Sequence, residues 1–234
     1  MRPRTRNALL LTLTAAAGSA DAVSYLGLGR VFTANMTGNL VLLGVAIGQG
    51  QLAGSLRSVI AFAGFGIGVL VGARATARSK GDAVWPPSAT LVLVVELGLF
   101  VAFAAGWEIA GNRPAALALD VLIALSAGAM GMQTAAARRL SVAGVTTTFV
   151  TGTLTSLIAE LASVGPDWAR STRWAATLAC IVIGAAASAA LFVAWRPGAP
   201  LVAMLLVGIV TVLAIWLTRG GVPASRGLGP SSSG

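Results

Sequence analysis

The 234-residue sequence contains no histidine and only one cysteine, Cys180. The sequence therefore lacks the groups needed for a disulfide, for a zinc site with nitrogen and sulfur ligands, and for Ser–His or Cys–His catalysis. A membrane-embedded enzyme acting on lipid would also need clustered carboxylates at one face, which the sequence does not offer. We therefore expect no enzyme, no metal site and no cofactor, and Cys180 is interpreted as inert packing.

Charge is also scarce, because only 10% of the residues are charged and 56% are hydrophobic. An ordinary soluble domain is about a quarter charged. The 16 Lys and Arg residues outnumber the 7 Asp and Glu residues, but they lie in short clusters between apolar runs, as membrane topology signals do. The composition predicts a lipid bilayer as partner and no nucleic acid.

Six apolar runs are long enough to cross a bilayer, which takes about 20 helical residues. Two shorter runs begin with Thr-Gly sequences and suit re-entrant half-helices better than full crossings. The long runs cover about 8–29, 56–77, 89–110, 115–137, 174–195 and 199–218, and the short runs cover about 38–50 and 152–164. We predict an all-α polytopic membrane protein of six transmembrane helices plus two half-helices.

The positive charges select this topology. With six spans and an internal N-terminus, 12 of the 16 cations lie inside, whereas eight spans would place only 9 inside. The four cations left outside are Arg30, Arg57, Arg113 and Arg196. This bias predicts a bacterial inner membrane protein with both termini in the cytoplasm. The first span also resembles a cleavable signal peptide, but its apolar run continues to Leu28, which favours a retained helix.

The membrane domain is expected to cover residues 1–219 as a single unit. Residues 220–234 have no apolar period and contain Pro223, Pro230 and three consecutive serines. This composition is typical of a disordered tail.

An internal repeat divides the chain. Residues 31–40 (VFTANMTGNL) align without gaps on 145–154 (VTTTFVTGTL), with five identities. Each copy follows a glycine-containing span, through Gly18 and Gly128, and precedes a span with small residues four apart. Because each unit contains three full spans, the second copy enters from the opposite face. The sequence predicts two inverted-topology repeats, at about 8–110 and 115–218.

Several short segments resemble the YoaK-like family of bacterial integral membrane proteins. They are GSAD at 18–21, FTANMTGN at 32–39, GMQ at 131–133 with Arg138 and Arg139 following, and TGT at 151–153. The resemblance spans nearly the whole chain before the tail. It implies a small multi-spanning membrane protein, but no particular activity, substrate or catalytic residue.

The two Thr-Gly sequences are the candidate binding site. At a half-helix start, unpaired N–H groups and the positive dipole end favour an anion or a polar group rich in acceptors. The alternative is N-capping alone, in which the polar side chains only satisfy a buried helix start. The candidate residues are Asn35, Thr37, Gly38, Asn39, Thr151, Gly152 and Thr153.

Four further polar residues fall within apolar runs. Asp21 is the most informative, because an intramembrane carboxylate costs several kcal/mol unless it is paired or protonated. It has several possible roles: to bind a proton or cation, to pair with Arg30, to hydrogen-bond the loop at 35–39, or to lie near the interface. Gln133 occupies the corresponding stretch of the second half and joins the candidate binding residues. Glu96 and Glu160 are secondary proton-relay candidates, with snorkelling or pairing as the alternative.

These features favour a transporter or channel-like carrier for a small polar or anionic solute, with proton coupling left open. A scaffold or sensor subunit, in which the polar turns are only caps, is the alternative. A homodimer is a further possibility. The solute itself has no signature in the sequence.

Overall fold

The structure is a computed structural model, and it describes residues 3–77, 84–140 and 150–219. Within these ranges it is all helical and contains no strand. The helices are α1 (Pro3–Gly27), α2 (Met36–Gly48), α3 (Leu52–Ala77), α4 (Pro87–Ile109), α5 (Ala116–Leu140), α6 (Val150–Leu161), α7 (Trp168–Ala194) and α8 (Leu201–Arg219), with a 3-10 turn at Arg196–Gly198 between the last two.

The helix inventory confirms the prediction of six long apolar helices and two short ones. Six helices are long and apolar enough to cross a membrane, and Met36–Gly48 and Val150–Leu161 are the shorter apolar helices. Helix ends fall within a few residues of the predicted runs, except that α7 begins six residues early, at Trp168. The predicted tail, the cations Arg2, Arg78, Lys80 and Arg226, and residues 145–149 of the second repeat copy lie outside the described residues.

Local sequence explains several helix boundaries. Pro87 opens α4, where its fixed φ suits a first helical residue and its missing N–H has no partner to lose. Asp167 caps α7 by accepting a hydrogen bond from the backbone N–H of Arg170. Gly50 follows α2 with a φ of +66°, a conformation that glycine adopts without steric cost. The chain reverses there and returns into α3.

Burial separates central from peripheral helices. Of the most apolar segment of each helix, 61% is buried in α1 and in α5, against 22% in α3 and 17% in α7. The exposed residues of α3 and α7 include large apolar side chains such as Phe62, Ile67, Val182 and Ile183. Apolar surface of this extent suits lipid rather than water. The two helices that open the predicted repeats therefore form the centre, and α3 and α7 face outward.

Helix contacts occur in matching pairs. Helix α1 packs against α7 and α8, and α5 packs in the same way against α3 and α4. Half-helix α2 lies on α3, and half-helix α6 lies on α7. The remaining central contacts, α1 with α5 and α4 with α8, join equivalent helices of the two halves.

Glycines produce the closest backbone contacts, and they too occur in matching pairs. A side chain at Gly184 would meet the carbonyl oxygen of Ala15, and one at Gly68 would meet that of Gly128. Likewise, Gly18 lies against the carbonyl of Ile181, and Gly131 lies against that of Phe65.

The sequence offsets between these contacts are constant. The α1 residues Ala15 and Gly18 lie 113 positions before the α5 residues Gly128 and Gly131, and the α3 residues Phe65 and Gly68 lie 116 positions before the α7 residues Ile181 and Gly184. In the predicted repeat, these contacts align Gly18 with Gly131 rather than with Gly128.

Candidate functional site

A cavity of about 1230 Å³ lies where α1, α7 and the starts of α2 and α6 meet. Its polar lining consists of Asp21, Asn35, Thr37, Gly38, Thr151 and Gly152. An apolar wall from α7 faces them, with Ile181, Val182, Ala185, Ala186 and Ala189. The structure therefore brings both Thr-Gly sequences and the intramembrane aspartate to one cavity.

Asp21 holds the loop that precedes α2. Its Oδ1 accepts hydrogen bonds from the backbone N–H groups of Thr33, at 2.8 Å, and Ala34, at 2.7 Å. This contact falls just before the loop segment 35–39 proposed from the sequence. The structure describes both Asp21 and Arg30 and shows no ion pair between them, so the alternative of a pair with Arg30 is not supported.

The start of α2 is largely satisfied from within. Asn35 is the N-cap residue, and its Oδ1 accepts a hydrogen bond from the Gly38 N–H at 3.1 Å. The Met36 N–H donates to the Ala34 carbonyl, and the Asn39 N–H donates to the Asn35 carbonyl. The expectation that Thr37 and Asn39 open this helix is therefore corrected to Asn35. Few unpaired donors remain there for an anion.

Asn39 is buried and does not line the cavity. Its Nδ2 donates to the Phe32 carbonyl at 2.6 Å, and its Oδ1 accepts from the Phe32 N–H at 2.9 Å. The Asn39 side-chain amide thus donates to and accepts from the backbone of the same residue, as a residue on a neighbouring β-strand does. Asn39 closes the loop, and Thr153, its counterpart in the repeat, is also buried away from the cavity lining.

Gln133 lies between the central helices rather than at the cavity. Its Nε2 donates to the Leu13 carbonyl on α1 at 3.0 Å, and the side chain is buried. Its Oε1 finds no hydrogen-bond partner among the described residues. Gln133 therefore joins α5 to α1 and is not a cavity ligand in this conformation.

Glu96 is fully buried in the central bundle, away from the cavity. The described residues supply no hydrogen-bond partner for either carboxyl oxygen. Buried positions Ala89, Leu93, Glu96 and Phe100 of α4 have the same spacing as Ala203, Val207, Val210 and Ala214 of α8. If the predicted halves align in this register, Glu96 corresponds to Val210.

Glu160 does not reach the cavity and acts at the far end of α6. Its Oε1 accepts a hydrogen bond from the Asp167 N–H at 2.8 Å, and its Oε2 lies 3.7 Å from Arg170. Since the Arg170 side chain is half exposed, this pair is weak. Of the two alternatives for Glu160, the structure shows pairing.

Two aromatic residues at the cavity were missed by sequence reasoning. The Tyr25 and Phe32 rings stack with centroids 5.3 Å apart, and both line the cavity. Tyr25 lies four residues after Asp21 on the same face of α1, so helical spacing was the available signal. The apolar α7 wall had no such signal, because a lipid-facing and a cavity-facing alanine look alike in sequence.

Metal binding has little support in this lining. Among the described lining residues, Asp21 is the one carboxylate, and no histidine or cysteine accompanies it. The described residues contain no group of three potential metal-ligating side chains. The described lining residues offer one carboxylate, three hydroxyl groups (Tyr25, Thr37 and Thr151), one amide and an apolar and aromatic wall.

Six membrane-length helices define a polytopic α-helical membrane protein. Residues 9–213 match the family described as a protein of unknown function, DUF1275. The chain belongs to this family. It is 40% identical over 156 residues to the UPF0700 transmembrane protein YoaK of Bacillus subtilis (strain 168), covering 67% of each chain. No solved structure matches it significantly. The comparisons confirm the YoaK-like resemblance.

Proposed function

We propose that this protein is a membrane carrier, or a channel-like carrier, for a small solute that binds in the cavity between the two half-helix starts. The observation that carries the proposal is the meeting of Thr37, Thr151 and Asp21 at one cavity. In transporters with inverted repeats, the binding site lies at the repeat interface and is formed by discontinuous helices.

The paired contacts support an inverted repeat. If α1 to α4 are related to α5 to α8 by a two-fold axis in the membrane plane, each contact of one half must recur in the other. The packing of α1 on α7 recurs as that of α5 on α3, and the two pairs of glycine contacts match residue for residue.

Contacts of the first half-helix support a re-entrant path. Before α2, the Thr33 hydroxyl accepts a hydrogen bond from Ser126, near the middle of α5. Near the end of α2, Ala46 lies where a side chain at Gly54, at the beginning of α3, would meet it. Ser126 is ten residues into α5, which corresponds to a depth of about 15 Å at the helical rise. The chain thus descends to mid-membrane depth and returns to the same side.

The side chains near one end of the bundle support the proposed orientation. Arg57 lies beside Gly29, and Arg196 donates to the Asn112 carbonyl at 2.7 Å. Trp107 contacts Gly27 and so joins these two groups. Of the four cations assigned to the outside, Arg57 and Arg196 therefore make contacts at this end. Arg30 and Arg113 directly follow Gly29 and Asn112, the residues that these two cations contact. We place it outside, in a bacterial inner membrane, with both termini in the cytoplasm.

Accessibility of the cavity from each face tests the proposal without knowledge of the solute. We would introduce Thr37→Cys or Thr151→Cys into a Cys180→Ala background and add an impermeant thiol reagent to right-side-out and inside-out vesicles. A carrier should show labelling of both positions from both faces, because its cavity opens to each side in turn. Two exposed positions serve as controls, Ile109→Cys for the outside and Arg74→Cys for the inside. Each control should react from one face only.

A scaffold or sensor subunit is the second candidate. The structure favours it to the extent that Asp21, Asn35 and Asn39 all hold the loop before α2 in place. In a scaffold the cavity would be a fixed feature open to one side. Labelling of Thr37→Cys and Thr151→Cys from one face alone, with both controls behaving as expected, would favour the scaffold and reject the carrier.

A further inference from the structure

We propose that the cavity binds a small organic cation with an apolar part, and that the Asp21 carboxylate is its counter-charge. This inference rests on the proposed function for its biological meaning, but the binding site itself can be tested separately. It concerns the ligand class, for which the sequence suggested a polar or anionic solute.

The charge of the lining is the first reason. Asp21 is the one charged side chain among the described lining residues, which include no Lys or Arg. No ion pair in the described part of the chain involves Asp21. An anion would thus meet a carboxylate and no cation, whereas a cation would find the opposite charge that a carboxylate in a low-dielectric site requires.

The start of α2 is the second reason, since it is one of the two half-helix starts that favoured an anion. Its Gly38 N–H is taken by the Asn35 side chain, and its Met36 N–H by the Ala34 carbonyl. Donors already paired within the protein contribute less to an incoming anion than free donors would. Among the remaining polar groups of the lining, the hydroxyls of Thr37, Thr151 and Tyr25 can accept as well as donate hydrogen bonds.

Aromatic and apolar surfaces are the third reason. The Tyr25 ring lies four residues from Asp21 on the same face of α1 and stacks on Phe32 at the cavity wall. Aromatic faces attract cations within about 6 Å of the ring centroid. Opposite them, the α7 wall from Ile181 to Ala189 is entirely apolar among its lining residues. A ligand with a positive head and an apolar body matches both sides.

Two probes of similar shape and opposite charge test the ligand class. Benzyltrimethylammonium and phenylmethanesulfonate each carry a benzyl group on a charged tetrahedral head. Equilibrium binding to the full chain would be measured in a non-ionic detergent. We expect the cation to bind at least about tenfold more tightly than the anion, because only the cation pairs with the carboxylate.

Three variants connect this preference with the cavity. Asp21→Asn keeps an oxygen for the Thr33 and Ala34 N–H groups but removes the charge, and it should weaken cation binding by about tenfold or more. Tyr25→Leu keeps apolar volume but removes the ring, and it should weaken binding by about three- to thirty-fold. Asp120→Asn makes the same chemical change on α5, outside the cavity, and should leave binding unchanged.

The outcomes separate this inference from the carrier proposal. Tighter binding of the sulfonate, or cation binding insensitive to both Asp21→Asn and Tyr25→Leu, would overturn the assignment of a cation site. Should Asp21→Asn fail to fold, Tyr25→Leu alone decides, because Tyr25 makes no hydrogen bond to the loop before α2 in the described structure. Cation binding as expected, together with one-sided labelling of Thr37→Cys and Thr151→Cys, would confirm the site and reject the carrier.

Discussion

The Asp21 carboxylate on α1 accepts a hydrogen bond at 2.7 Å from the backbone N–H of Ala34, at the entrance to half-helix α2. The same oxygen accepts from Thr33, whose hydroxyl accepts a hydrogen bond from Ser126 on α5. One side chain of the first helix thus holds the loop before α2, which in turn contacts α5. Asp21 therefore both supplies negative charge to the cavity and hydrogen-bonds the loop at the cavity's edge.

These two roles of Asp21 can be separated by substitution. Asp21→Ala removes the acceptor and leaves two N–H groups unpaired, which should lower the free energy of unfolding by about 1–3 kcal/mol. Asp21→Asn retains the acceptor and should stay close to wild type. Thermal unfolding of the purified protein in detergent would give the order wild type, then Asn, then Ala. An Asn variant as unstable as the Ala variant would show that the charge, not the acceptor, holds the loop.

Glu96 should lower the stability of the protein rather than raise it. Its carboxyl group is fully buried and has no partner among the described residues, and α8 carries the buried apolar Val210 at the position that the predicted repeat aligns with it. Glu96→Leu should therefore raise the free energy of unfolding by about 1–4 kcal/mol, since an uncompensated polar group leaves the core. Val210→Glu is the matched reverse change and should be destabilising.

Thermal unfolding in detergent also measures this pair of Glu96 variants. A loss of stability in Glu96→Leu would mean that the carboxyl group has a compensating partner. If solute transport is found, selective loss of transport in a more stable Glu96→Leu protein would assign Glu96 to the relay suggested by the sequence.

The glycine contacts of the two halves should have equal importance. Alanine at Gly184 or at Gly68 would place a methyl group against the carbonyl oxygen of Ala15 or of Gly128. Each substitution should push two helices apart and lower stability by about 1–3 kcal/mol. Gly66 lies on the same helix as Gly68 with open space around it, so Gly66→Ala should be neutral or raise stability by up to about 1 kcal/mol.

Similar losses for Gly184→Ala and Gly68→Ala would support the inverted repeat. Unfolding midpoints of the three alanine variants in one detergent provide the comparison. A large loss in one half with none in the other would contradict the equivalence of the two interfaces.

The sequence was sufficient for the spans but not for the roles of the polar residues. Apolar runs of about 20 residues predict membrane helices because lipid accepts little else, and the six long helices match them. The hydrogen-bond partners of the polar residues were harder to predict. Asn39 is buried and binds backbone, whereas Thr37 is exposed and lines a cavity, yet both are small polar side chains of the same segment. Their difference depends on the path of the loop before α2. The repeat predicted the meeting of Thr37 and Thr151, but the burial of Glu96 without a partner among the described residues required the packed bundle.

Cross-linking of the two half-helix starts tests the central claim, that both lie at one cavity, most directly. Thr37→Cys and Thr151→Cys would be combined in a Cys180→Ala background and treated in native membranes with a short bifunctional thiol reagent. Mass spectrometry then distinguishes one bridging reagent per chain from two singly attached reagents. The structure predicts the bridged product for this pair, and none when Thr37→Cys is combined with Ile109→Cys on α4. Two singly attached reagents on Thr37→Cys/Thr151→Cys, with both sites reactive, would contradict a shared cavity.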